Sequence, residues 1–94
     1  MDTNMSLFNQ INSLAYWFLF QTNYKSSVVF DAEKDSFFVT IKKGGKPLYS
    51  HRINDFSKRK KRLLQFELVA IANSLLHIKE TLSKKRMAMG NLHA

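Results

Sequence analysis

Three histidines, a cluster of acids and one unbroken run of cations are the residues whose types and spacing bear on chemistry in this chain. His51, His77 and His93 stand far apart, with none of the His-x-x-x-His spacing that lets two imidazoles share a metal. Asp31, Glu33 and Asp35 fall within five residues. Such a cluster can attract a cation, but it lacks the length and glycine placement of a calcium loop, and a solvated turn accounts for it. Gly44-Gly45 lacks the Gly-Lys-Ser/Thr ending of a phosphate loop, and no serine has a nucleophile-elbow context. With no cysteine there is no thiolate nucleophile, disulfide or Cys-based zinc site. The sequence therefore reads as a protein that is not an enzyme, with no catalytic residue, metal, cofactor or small-molecule substrate.

The run Lys58-Arg59-Lys60-Lys61-Arg62 points elsewhere. It falls where a long second helix is expected to start, and a helix start carries a partial positive charge that disfavours cations. A phosphate or carboxylate partner reverses that penalty, because backbone N–H groups and side-chain cations then face the same anion. Net charge agrees: 15 Lys and Arg against 7 Asp and Glu give +8, a balance that favours anionic partners. Lys42, Lys43 and Lys46 bracket the Gly44-Gly45 turn, and Arg52 follows them. Two basic clusters of this kind suit a two-point grip on a phosphate backbone. With about six phosphates neutralised, the log–log salt slope of binding would be roughly −5. The hairpin lysines also suit simple protection of a sheet edge.

The elements that must hold these residues are legible in the periodicity. Ser6 is a plausible N-cap, after which Leu7, Ile11, Leu14 and Phe18 recur at helical spacing, with Phe8, Ala15 and Leu19 widening the stripe. Tyr16, Trp17 and Phe20 fall partly outside it and are candidates either for core packing or for contact with a partner. Three strands are expected next, over 24–30, 36–43 and 47–53, the second alternating Phe37, Val39 and Ile41 against Phe38, Thr40 and Lys42. Gly44-Gly45 supplies the turn between the last two, because glycine accepts the positive φ a tight hairpin demands.

No Gly or Pro interrupts 56–89, and Leu64, Leu68, Ile71, Leu75, Ile78 and Leu82 step by four and three residues. That stripe suits packing on the sheet, flanked by Phe66, Val69, Ala72 and Leu76, and it also fits a short coiled-coil seam. Lys84-Lys85-Arg86 is expected in the last turn, where cations suit the helix dipole. The expected architecture is one small α+β domain over 1–86, ordered α-β-β-β-α, with a flexible tail over 87–94.

That order of elements resembles the double-stranded-RNA-binding domain over about residues 6–80, and Ser57-Lys58-Arg59-Lys60-Lys61 is similar to that family's Ser-Lys-Lys stretch. The resemblance implies phosphate contact across a groove by the lysines at the start of the second helix. It is a likeness of topology. The family carries a Gly-Pro-x-His type loop between its first two strands where this chain has Asp31–Asp35. It also has small alanines soon after the lysines, where Leu63, Leu64 and Phe66 stand here.

The function expected first is a nucleic-acid-binding module gripping phosphates through Lys58–Arg62 and the Lys42–Lys46 hairpin, without base reading. The alternative is a protein-interaction or inhibitor module, homodimeric if the seam pairs, that docks on an acidic or nucleic-acid-binding protein surface through Tyr16, Trp17 and Phe20. A membrane-surface role is the weakest of the three, since no helix combines basic and bulky apolar faces at its end. The absence of cysteine, of a basic leader and of a 20-residue apolar span suits a cytoplasmic protein.

Overall fold

The computed structural model describes the backbone of residues 2–92 and the side chains of 2–85. Its order is α1 (Thr3–Gln21), β1 (Lys25–Asp31), β2 (Ser36–Lys43), β3 (Lys46–Asn54), a 3-10 turn at Phe56–Lys58, and α2 (Lys61–Leu92). This is the expected α-β-β-β-α domain. The strands form one antiparallel sheet in the order β1-β2-β3. Gly44 and Gly45 have φ of 58° and 80°, the double positive φ of the hairpin turn joining β2 to β3.

Alternation divides the sheet into two faces. Val28, Val39 and His51 lie in one cross-strand row and Phe30, Phe37 and Ile53 in the next, all on the face the helices cover. Phe37, Val39, Ile41 and Ile53 are completely buried there, against Ile11 and Phe18 of α1 and Leu68, Ile71 and Leu75 of α2. The other face carries Lys25 and Lys42, then Ser27, Thr40 and Ser50, then Val29, Phe38 and Arg52. Burial of large side chains at about 1.5–3 kcal/mol each holds the two layers together.

Contacts along the helices fix their direction. The side-chain amide of Asn4 donates to the Lys61 carbonyl at 3.3 Å, so both helices begin at the same place. Ser26 Oγ donates to the Ala15 carbonyl at 2.7 Å and His51 faces Glu67 at 3.4 Å, placing α1 over β1 and α2 over β3. Both helices therefore run alongside each other from one end of the sheet to the other. We call these the start end, which also holds the β1–β2 turn, and the hairpin end, which holds Gly44-Gly45. At 32 residues α2 is about 48 Å long, against about 30 Å for the nine-residue β3. It outruns the sheet at the hairpin end, in keeping with a longest dimension of 52 Å.

Several expectations are corrected. Asp2, not Ser6, caps α1: its carboxylate accepts from the Asn4 N–H at 2.9 Å, and an acid suits the positive end of the helix dipole. Leu19 and Phe66 are exposed, at 56 % and 62 %, because the sheet and the neighbouring helix cover only one side of each helix. Lys84 and Lys85 are not in the last turn of α2, which continues to Leu92. Residues 87–92, assigned above to a tail, are helical, and 93–94 lie outside the described residues. The Leu64–Leu75 part of the seam is buried within the chain, so a coiled-coil dimer through it would have to expose this domain's own core. Among the described residues no helix is long and apolar enough to cross a membrane.

Candidate nucleic-acid interface

The basic run does not form a single helix start. Lys58 ends the 3-10 turn, Arg59 and Lys60 link it to α2, and Lys61 and Arg62 open the helix. The Lys60 carbonyl takes the first helical hydrogen bond, from the Leu64 N–H at 2.9 Å, and α2 has no acid in its first turn. Two non-glycine residues with positive φ flank this segment, Asp55 in the bend that precedes it and Asp35 in the β1–β2 turn that packs against it. Asp35 (φ 52°) and Asp55 (φ 54°) occupy the left-handed region, which a short acidic side chain tolerates better than most.

Asp35 resolves the role of the acidic turn. Its carboxylate accepts from Ser57 N–H at 2.9 Å and from Ser57 Oγ–H at 2.8 Å, while its carbonyl accepts from Phe56 N–H at 2.9 Å. The turn thus clasps the 3-10 turn that presents the cations. Arg59 is held within the fold as well: Nη1 donates to Glu67 Oε2 at 2.8 Å and Nε to the Asn54 carbonyl at 3.1 Å. Glu67 also faces His51, a shared carboxylate between two basic groups. Lys58, Lys60, Lys61 and Arg62 are exposed.

These neighbours neutralise the start end. Lys34 and the five residues of the run make six cations there. Asp2, Asp31, Glu33, Asp35, Asp55 and Glu67 make six acids. Two helix N-termini at the same place add positive partial charge, which helps explain why carboxylates collect there.

The hairpin end differs. Lys25, Lys42, Lys43, Lys46, Lys79, Lys84 and Lys85 lie there with a single acid, Glu80. Lys25 stands opposite Lys42 in the sheet, and Lys43 opposite Lys46 across the turn. Like charges directly opposite each other destabilise a sheet unless an anion lies between them. Lys43 Nζ sits over the Tyr24 ring at 5.8 Å and Lys79 Nζ over the Trp17 ring at 5.1 Å, so aromatic faces accommodate part of this charge. Arg52 belongs to neither end: it lies on the open sheet face, stacked over Phe38 at 4.4 Å. The two clusters are separated by the length of the sheet, about 28 Å, and do not form one contiguous grip.

Aromatic residues accompany both ends. At the start end, Phe8, Phe30, Phe37 and Phe56 pack ring to ring at 5.0–5.8 Å. Three of them, with Met5, Leu64 and Leu68, line an open cleft of about 570 Å³ whose rim carries Arg59 and Lys61. At the hairpin end a cleft of about 470 Å³ runs between Phe20–Tyr24 and Leu82 and Lys85 of α2. Tyr16 and Phe20 are 66 % and 63 % exposed beside it, their rings 4.6 Å apart, whereas Trp17 is half-buried against the core.

Lys25, Lys79, Lys84 and Lys85 were not singled out for the site from sequence. Strand pairing brings Lys25 beside the hairpin, opposite Lys42, and the course of α2 brings Lys79, Lys84 and Lys85 there. Among the described residues no three histidine or acidic side chains converge as a metal site requires. Comparison of the chain with protein-family models, with curated proteins and with solved structures finds no match.

Proposed function

We propose that this protein is a small non-enzymatic nucleic-acid-binding module whose hairpin end holds the phosphate backbone. One observation carries this: seven lysines meet one acid at that end, whereas the six cations of the start end are balanced by six acids. Lys42, Lys43 and Lys46 on the hairpin, with Lys25, Lys84 and Lys85 beside them, supply point charges that contact phosphates without reading bases. Lys58, Lys60, Lys61 and Arg62 add a second and weaker contact, because Asp31, Glu33, Asp35 and Asp55 repel the same phosphates. Arg59 acts as a strut that positions the run.

A second function has an observation in its favour. Tyr16 and Phe20, exposed beside the lysines of the hairpin end, suit docking on an acidic protein surface.

A salt-titrated binding assay decides between them. Lys42→Glu with Lys46→Glu is expected to weaken binding to a labelled mixed-sequence oligonucleotide at least tenfold, and Lys58→Glu with Lys61→Glu less than threefold. Excess polyglutamate should displace the oligonucleotide poorly. The reverse ranking, or no binding at low salt, would overturn nucleic-acid binding at the hairpin end. Efficient displacement by polyglutamate would favour the acidic-protein partner.

A further inference from the structure

The hairpin end holds more than charge, and its aromatic residues narrow the kind of nucleic acid it suits. We infer that its ligand is single-stranded, with an unpaired base stacked on Phe20 and Tyr16 while the backbone follows the hairpin lysines. This rests on the proposal of nucleic-acid binding at the same end.

A duplex offers phosphates and groove edges, with its base faces already stacked inside, and exposed rings gain little from it. A single strand offers base faces as well, and base–aromatic stacking beside a cationic track is how strands are held without sequence preference. Both requirements meet here. Phe20 and Tyr16 present more than half of their surface to solvent at the last turns of α1. Burying them would return hydrophobic free energy that the isolated domain leaves unused.

The adjoining cleft of about 470 Å³ lies within the range of small-ligand sites. Its rim carries the exposed amides of Gln21 and Asn23, which offer donors and acceptors to a base edge. Lys85 lines the same cleft, and Lys43 lies over Tyr24, so cations stand on both sides of a base seated there. Charge complementarity selects the occupant: a neutral or cationic apolar group would leave these lysines without counter-charge.

The geometry at the other end argues against a duplex. A rigid double helix spanning both basic clusters would have to lie across the acidic turn that Asp35 clasps to Ser57. A flexible strand needs only the hairpin end.

The test is fluorescence anisotropy at about 0.1 M salt with one mixed-sequence 20-mer, presented as single-stranded DNA, single-stranded RNA and the matching duplexes. The intact protein should bind the single strands at least tenfold more tightly than the duplexes, with quenching of the sole tryptophan, Trp17. Phe20→Ala should weaken single-strand binding about tenfold and Tyr16→Ala about threefold, leaving duplex binding and the thermal midpoint unchanged. Equal or tighter duplex binding, or single-strand affinity untouched in both variants, overturns the inference alone. Failure to bind any of the four probes overturns the proposed function along with it.

Discussion

The two ends of this domain carry nearly the same number of basic residues, six and seven, yet only one of them carries net charge. At the start end the cations are part of the architecture. Arg59 ties Glu67 to the carbonyl of Asn54, and Asp35 clasps the 3-10 turn from which Lys58 projects. At the hairpin end the lysines face one another across strands and lean on aromatic rings. A dense basic run is therefore a poor guide to where a fold carries its net positive charge. What counts is which carboxylates the fold brings alongside, and that is a property of topology.

The largest effect that would sharpen this contrast is at Asp35. Asp35→Ala removes both carboxylate hydrogen bonds to Ser57 and places alanine at positive φ, with an expected loss of about 2–3 kcal/mol. Oligonucleotide affinity should hold or rise slightly, since an acid is gone. Urea unfolding read beside the binding assay checks both. A variant that is as stable as the parent would show that the clasp does not organise the start end.

Gly44→Ala is the matching change at the hairpin end. Space is open around the new methyl group, with no atom within 4 Å, so the cost comes from φ alone, about 1 kcal/mol. Here the binding assay should respond more than the unfolding curve, because the turn aims Lys43 and Lys46. Equal binding with a lower midpoint would mean that the hairpin is only structural.

The smallest effect is an alkaline one. Burial pushes the Tyr49 phenol above its ordinary value of 10.0, outweighing a hydrogen bond with Ser74 that acts the other way. The folded state then keeps its proton longer than the unfolded one. Stability from this group is complete below about pH 10 and declines as the pH rises from there through the folded value. Tyr49→Phe should flatten that part of the pH–stability profile. Since Tyr49 joins β3 to α2 in the hairpin half, amide exchange should rise there first; uniform loosening would break the distinction between the ends.

Much of the fold was legible in the chain. The alternation from Ser36 to Lys43 marked β2 to the residue, Gly44-Gly45 marked its turn, and the Leu64–Leu75 stripe marked the buried face of α2. Capping was less legible: Asp2 and Ser6 both suit an N-cap by type, and only the position of the first turn separates them. The break at Arg59 and Lys60 was hidden because no Gly or Pro signals it; it comes from Asp35, 22 residues before Ser57 in sequence. The charge contrast was out of reach for a similar reason. Lys25 and Lys85 lie 60 residues apart in numbering and share one end only because α1 and α2 run in the same direction.

That shared direction has a consequence for motion. A body some 52 Å long with its excess positive charge at one extremity possesses a large permanent electric moment along its length. In the field of a polyanion it feels a torque as well as a pull, and it turns hairpin-first before any contact is made. Collisions that begin in the wrong attitude are corrected in flight. Dissolved salt shortens the reach of that correction to about a Debye length, roughly 10 Å at 0.1 M, so the angular search should lengthen as ionic strength rises.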